Sequence, residues 1–217
     1  MIHLIHQDSG DRDWHTPKKV VDLARDLMGV IDFDPASSSE ANVIVGAASF
    51  VSKPDQVFMV NHPYDKMPVY NQIDEMVMPY DLHQIARGCM WVNHPFSRRE
   101  RPCDLNKCTK AVCRRRGYHV AYDVAGNKEW IKAVVSAYET GLVTAVCGVC
   151  FAAVSAAWFR PLLEYPLGIF YGRLNYQKGG LSVPGVTKDS VFYYLGNDVD
   201  RFVKLFETVY RFGKVKV

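Results

Sequence analysis

The stretch Gly88-Cys89-Met90-Trp91-Val92-Asn93-His94-Pro95-Phe96 decides how the rest of the chain is read. Four apolar residues in a row, preceded by a glycine, have the composition of a strand buried on both faces, and such strands belong to sheets covered by helices on two sides. The strand runs directly into Asn-His-Pro-Phe, where Asn and Pro favour a turn and an aromatic ring follows. Apolar runs of the same kind occur at 30–33, 142–151, 167–171 and 191–194.

Helix-period segments lie between these runs. Thr16 is placed to cap a helix with Pro17 in its first turn, a stripe of Val20, Val21, Ala24, Leu27 and Met28, and an end at Gly29. A second helix is expected from about Asn127, with Glu129 in its first turn and Trp130, Ile131, Val134, Val135 and Tyr138 on one side, to Gly141. A third is expected from about Asp198, with Phe202, Phe206, Val209 and Tyr210 on one side, to Gly213. Strands alternating with helices predict an α/β fold, a mostly parallel sheet covered by helices on both faces. Ligands of such sheets bind at the carboxyl ends of the strands.

The length, 217 residues and 24.6 kDa, fits a single domain over 1–217 carrying a small insertion. With 48% hydrophobic and 23% charged residues and a mean hydropathy of -0.10, a disordered or fibrous chain is excluded. No apolar run is long enough to span a membrane. Residues 1–8 lack the features of a secretory signal, so an intracellular, cytoplasmic protein is expected. The net charge of +3 is unevenly spread. Between residues 98 and 119, eight basic residues (Arg98, Arg99, Arg101, Lys107, Lys110, Arg114, Arg115, Arg116) face two acidic ones (Glu100, Asp104), a local charge of +6. So concentrated a charge predicts a phosphate-binding surface.

The same segment contains Cys103, Cys108, Cys113 and His119, spaced C-x4-C-x4-C-x5-H. Three thiolates and an imidazole complete a tetrahedral zinc ion and leave no open position, which predicts a structural Zn2+ stapling an insertion over 98–126. Cys147 and Cys150 lie inside an apolar run and are expected in the core.

The turn after the deciding strand suggests chemistry. Transfer of a methyl group to an exocyclic amine needs acceptors that hold the amine hydrogens and aim the nitrogen lone pair, and the Asn93 side-chain oxygen with the His94 main-chain carbonyl meet that need. Pro95 stiffens the turn and Phe96 offers a face to an extruded base. At the end of the first predicted strand, Asp32 and Asp34 lead into Pro35, Ala36 and Ser37, a turn suited to a cofactor's polar groups, with no Gly-rich phosphate loop after it. The motif Asn-His-Pro-aromatic occurs twice, at 61–64 and 93–96. The second copy is favoured because it follows the strand directly and runs into the basic segment.

Taken in order, Trp14-His15-Thr16-Pro17, Asp32-Phe33-Asp34-Pro35-Ala36-Ser37, Trp91-Val92-Asn93-His94-Pro95-Phe96, Trp130-Ile131-Lys132-Ala133, residues 155–159 and Gly172-Arg173-Leu174-Asn175-Tyr176 resemble the phage-type Dam-like DNA adenine N6-methyltransferases. The resemblance extends from Trp14 to about Gly196. It implies a Rossmann-like methyltransferase fold, S-adenosylmethionine as cofactor near Trp14, Thr16, Pro17 and the turn Asp34-Pro35-Ala36-Ser37, double-stranded DNA as the partner of the phosphate-binding surface, and 93–96 as the catalytic (D/N/S)-P-P-(Y/F) motif. His94 departs from that motif, standing where the first proline is expected. A zinc-dependent base deaminase is disfavoured, because no His is followed two positions later by Glu and Pro102-Cys103 continues with x4 rather than x2 spacing. A non-enzymatic zinc-containing DNA-binding protein, and a transferase acting on cytosine N4 or a modified base, remain as alternatives.

Overall fold

The computed structural model describes residues 15–51, 59–60, 82–103, 108–111, 113, 124–178, 181–182 and 188–217. Helix α1 is Lys18–Met28, with Val20, Val21, Leu23, Ala24 and Leu27 buried. Its N-cap is Pro17 rather than Thr16, and no side chain caps it; the Pro17 carbonyl instead accepts from the Val20 N–H at 2.9 Å. Gly29 ends the helix at φ 82, in the left-handed region that a residue without Cβ enters most easily. Strand β1 is Phe33–Asp34, at the end of the predicted 30–33 run. Helix α2, Ser39–Val45, is capped by Ser38, whose Oγ accepts from the Ala41 N–H at 3.0 Å. Strands β2 (Ser49–Phe50) and β3 (Met59–Val60) and the short helix α3 (Leu82–Ile85) follow. Strand β4 is Cys89–Val92, the bounds expected from its apolar run.

Helix α4, Asn127–Glu139, starts where expected, its Glu129 Oε2 accepting from the Gly126 N–H at 3.0 Å. Strand β5 is Ala145–Phe151; residues 142–144 of the predicted run belong to the preceding connection. After a 3-10 turn at Arg160–Glu164 come β6 (Leu167–Phe170), the hairpin β7 (Gln177–Lys178) and β8 (Leu181–Ser182), and β9 (Ser190–Leu195). Helix α5, Val199–Val203, is capped by Asp198 and continues into a π-helical turn at Lys204–Val209. The predicted third helix therefore stops short of Gly213, which opens strand β10, Gly213–Lys216.

Eight strands form one sheet in the order β10-β6-β9-β5-β4-β1-β2-β3. Its centre, β2-β1-β4-β5, is parallel. Both flanks are antiparallel, β9, β6 and β10 on one side and β3 on the other, so the sheet is mixed where a mostly parallel one was expected. Short apolar runs cannot reveal this difference, since a strand buried on both faces has the same composition in either pairing direction.

Both faces are covered. Met90, Val92, Val146, Cys150, Val191, Tyr193 and Leu195 face a core built with α4, while Trp91, Cys147, Val149, Phe192 and Tyr194 face a second core built with α1 and the C-terminal helical segment. The alternation follows from the two-residue repeat of a strand. Cys147 and Cys150 thus point to opposite faces, both fully buried, which confirms a packing role and precludes shared chelation. Among the described residues, no helix is long and apolar enough to cross a membrane.

Candidate functional site

Strands β1 and β4 are parallel neighbours, with Phe33 paired to Met90. From β1 the chain moves to β2 on one side, and it later returns to β4 and β5 on the other. That reversal is a topological switch point, the place in open α/β sheets where ligands bind outside the carboxyl ends of the strands. The turn after β1, Asp34-Pro35-Ala36-Ser37, and the turn after β4, Asn93-His94-Pro95-Phe96, leave the sheet at this edge.

Within the β4 turn, Asn93 is half-buried and His94 is 1% exposed. The His94 imidazole stacks on Trp130, ring centres 5.9 Å apart at 27°, and its Nε2 lies 2.9 Å from Asn127 Oδ1. Burial pushes His94 down to about 4, only partly offset by Asn127, so at neutral pH the ring is uncharged. A carboxamide oxygen can only accept, so Nε2 carries the hydrogen and Nδ1 the lone pair. The Phe96 ring is 4.5 Å from Phe151, 6.0 Å from Tyr176 and 5.4 Å from His94, an aromatic cluster at the mouth of β4 and β5. Lys188 Nζ lies over the Phe151 ring, 4.5 Å from its centre.

The β1 turn is built by its own aspartate. Asp34 is 2% exposed and accepts from the Ala36 N–H at 3.0 Å; burial pushes its carboxyl up to about 7, against the lowering effect of its bonds to Ala36 and Ser37. Pro35 is buried, Ala36 and Ser37 are half-buried, and the Ser37 N–H donates to the Val51 carbonyl. Asp32, one residue before β1, accepts from the Cys89 N–H at 2.7 Å and so braces β1 against the start of β4. A Cβ on Gly88 would meet that carboxylate at 2.1 Å, which requires glycine there. Thr16 is buried beside a backbone bridge between His15 and Gln177, which brings it next to Tyr176. Trp14 lies outside the described residues.

Among the described residues, five buried side-chain polar atoms have no hydrogen-bond partner: Thr16 Oγ1, His94 Nδ1, Ser97 Oγ, Trp130 Nε1 and Tyr193 Oη. They gather around one edge. Trp130 stacks on His94, Ser97 follows Phe96, Thr16 neighbours the Tyr176 that meets Phe96, and the Tyr193 ring crosses Gly148 beside the Val92 carbonyl. Buried polar groups are as a rule hydrogen-bonded, so these unpaired ones set the surroundings of the two turns apart from the rest of the core.

The basic segment that follows Phe96 leaves this site directly. Glu100 and Val124 exchange two backbone hydrogen bonds, 2.9 and 2.7 Å, and close its neck. Arg98, Arg99 and Arg101 are exposed at the neck. Inside it, Cys103 Sγ is 3.5 Å and Cys108 Sγ 3.8 Å from Cys113 Sγ, and all three sulfurs lie within 4.8 Å of one another. A disulfide would need about 2.05 Å. Thiolates around one tetrahedral ion with bonds of about 2.3 Å would be about 3.8 Å apart. The three cysteines can therefore hold a metal ion. Without a cation, burial and the neighbouring Cys103 and Cys108 push the Cys113 thiol up to about 11. Lys110 Nζ sits 3.6 Å from Cys103 Sγ and donates to the Arg101 carbonyl. His119, Arg114, Arg115, Arg116 and the second motif copy at 61–64 lie outside the described residues.

Sequence reasoning gave no site role to Asn127 or Tyr193, and it quoted Trp130 and Tyr176 only within the runs that carry the resemblance, Trp130 also as part of a helix stripe. Asn127 alone left a signal, since an Asn at a helix start commonly bonds through its side chain. No protein-family model, curated protein or solved structure matches the chain.

Two buried groups here titrate in opposite senses. Between pH 6.5 and about 4 the unfolded chain protonates His94 while the folded chain does not, so this group removes about 3 kcal/mol of stability as pH falls. Asp34 acts the other way, because between about 7 and 3.8 the folded chain holds a proton that the unfolded chain has lost. The unfolding free energy of wild type relative to Asp34→Asn should therefore increase by about 3 kcal/mol from pH 6.5 to 4 in urea titrations. A difference independent of pH would contradict a buried, neutral-preferring Asp34.

Proposed function

We propose that the chain is an S-adenosylmethionine-dependent DNA methyltransferase of Rossmann-like fold that acts on the N6 amine of an adenine turned out of the duplex. The observation that carries this reading is the pair of turns at the β1/β4 switch point, 34–37 and 93–96, surrounded by unpaired buried polar atoms. Ser97 Oγ, directly after the second turn, and Thr16 Oγ1 are orphaned hydroxyls that the polar ends of the cofactor would satisfy in this reading. Asp34 fixes the shape of the first turn through Ala36 and Ser37, and Asp32 braces it from beneath.

S-adenosylmethionine, when bound, supplies an electron-poor methyl group on a sulfonium. The Asn93 side-chain oxygen and the His94 carbonyl take the amine hydrogens and aim the nitrogen lone pair. Phe96, backed by Phe151 and Tyr176, receives the base. The imidazole of His94 commits its hydrogen to Asn127 and acts through the shape of the turn. No strong base is needed, because the attacking amine becomes cationic and sheds its proton afterwards.

In this reading the insertion holds zinc through Cys103, Cys108, Cys113 and His119, and Arg98, Arg99, Arg101, Arg114, Arg115 and Arg116 grip phosphates. Replacing Arg98, Arg99 and Arg101 by Ala should lower the slope of log affinity against log salt by roughly 2 to 3, measured by fluorescence anisotropy on duplex DNA. An unchanged slope would take these residues off the DNA surface.

The exposed arginines and the thiol cluster also fit a DNA-binding protein without chemistry, and the cofactor separates the readings. Saturable binding of S-adenosylmethionine by calorimetry, with labelled methyl transfer to unmodified DNA, is expected of the enzyme. Absence of both from zinc-replete protein would favour the binder.

A further inference from the structure

The turn that carries Asn93 resembles a motif with two successive prolines, and His94 occupies the first of those positions. A proline there would fix φ. His94 brings no such restraint, yet the turn is held from outside by one residue. Asn127 Oδ1 accepts from His94 Nε2 at 2.9 Å, and the Asn127 N–H donates to the Ser97 carbonyl at 2.8 Å. The two bonds grip the chain on either side of Pro95 and Phe96, while the Ser97 N–H donates back to the Pro95 carbonyl at 2.9 Å.

The imidazole is not free to turn away. Trp130 lies against its face, and the Phe96 ring meets it at 77°. Rotating the ring by half a turn would put a carbon where Nε2 now donates, losing the bond to Asn127. Asn127 is itself anchored as the first residue of α4. Gly126, just before it, packs so closely on the other arm of the neck that a Cβ would lie 2.2 Å from the Arg99 nitrogen.

We propose that Asn127 is a positioning residue for methyl transfer: with His94 it forms a clamp that supplies the turn rigidity a proline would, holding the Asn93 side-chain oxygen and the His94 carbonyl in register for the substrate amine. The clamp deepens the methyltransferase reading and rests on it. It also joins the reacting turn to the neck of the insertion, because 126–127 continues from the Val124 that pairs with Glu100.

Asn127→Ala keeps the N–H to Ser97 and removes only the acceptor for His94. It should lower kcat for methyl transfer about ten- to hundredfold, with the Kd for S-adenosylmethionine nearly unchanged. Adding His94→Pro to Asn127→Ala should bring kcat back to within about threefold of wild type, since a proline needs no partner. A residue that serves folding alone would lower Tm and would not be rescued in this way. Unchanged kcat in Asn127→Ala, or a double variant as slow as the single one, overturns the proposal. Imidazole nitrogen NMR of the wild-type protein tests the clamp without any turnover: the neutral Nε2–H tautomer of His94 is expected at pH 7. An Nδ1–H tautomer or an imidazolium overturns the clamp. The expected tautomer in a protein that transfers no methyl group supports the clamp and defeats the functional reading instead.

Discussion

Asn93→Ala is expected to slow methyl transfer to DNA by about 10²- to 10³-fold, roughly 3–4 kcal/mol in the barrier, while leaving the affinity for S-adenosylmethionine within about twofold of wild type. The size follows from what the side chain is asked to do. An exocyclic amine of an aromatic base is a poor nucleophile until its hydrogens are held in place and its lone pair is turned toward the electrophile, and a methyl side chain accepts nothing. Cofactor affinity should survive because the turn at 34–37 and the Thr16 segment are separate from β4. The fold should survive as well, since Asn93 is half-buried just beyond β4, outside both buried cores. Single-turnover kinetics with labelled cofactor measures the effect. Retained activity in Asn93→Ala with loss in Asn61→Ala would move the role to the other copy of the motif.

Removal of metal is expected to have the second large effect. Structural zinc supplies folding free energy of roughly 10 kcal/mol or more to small sites, and the segment between Glu100 and Val124 has only three large aliphatic residues, Leu105, Val112 and Val120, with which to fold otherwise. Chelation, or Cys108→Ser, should release about one zinc ion per chain and open this segment to proteolysis. DNA affinity should fall at least tenfold as the arginines at the neck lose their arrangement. The eight-stranded sheet should stay folded, because among the described residues of 98–126 only Ala125 belongs to either buried core. Elemental analysis with limited proteolysis reads the outcome. Protein free of metal as purified, with a protease-resistant insertion, would mean that the sulfurs gather without an ion.

The deciding strand was legible because its signal is strong: β4 falls at Cys89–Val92, bounded by a glycine before and a turn after. Helix α4 was legible for a similar reason, a clear apolar stripe with Glu129 in its first turn. The antiparallel flanks were not, since pairing direction leaves no mark on the composition of a doubly buried strand. Strand β10 escaped notice because Gly213 followed a helical stripe and looked like its end, and its edge position lets it carry two lysines. The cap of α1 was misplaced by one residue, as Pro17 performs the start that Thr16 was expected to perform. In the site, the residue types at 34–37, 93–96 and the three cysteines were visible in order and spacing. The partners that hold them were not, because Asn127 and Tyr193 come from distant parts of the chain and meet the turn only when α4, β9 and β4 are assembled, and nothing in the run ending at Tyr176 says that its ring meets Phe96.

Nucleoside mass spectrometry of unmodified duplex DNA, digested after incubation with the zinc-loaded protein and S-adenosylmethionine, tests the central claim most directly. The account predicts N6-methyldeoxyadenosine as the product, dependent on Asn93. Methyl groups on cytosine N4 would correct the base but keep the chemistry, whereas DNA that gains no methyl group from protein shown to bind both cofactor and duplex would contradict the account.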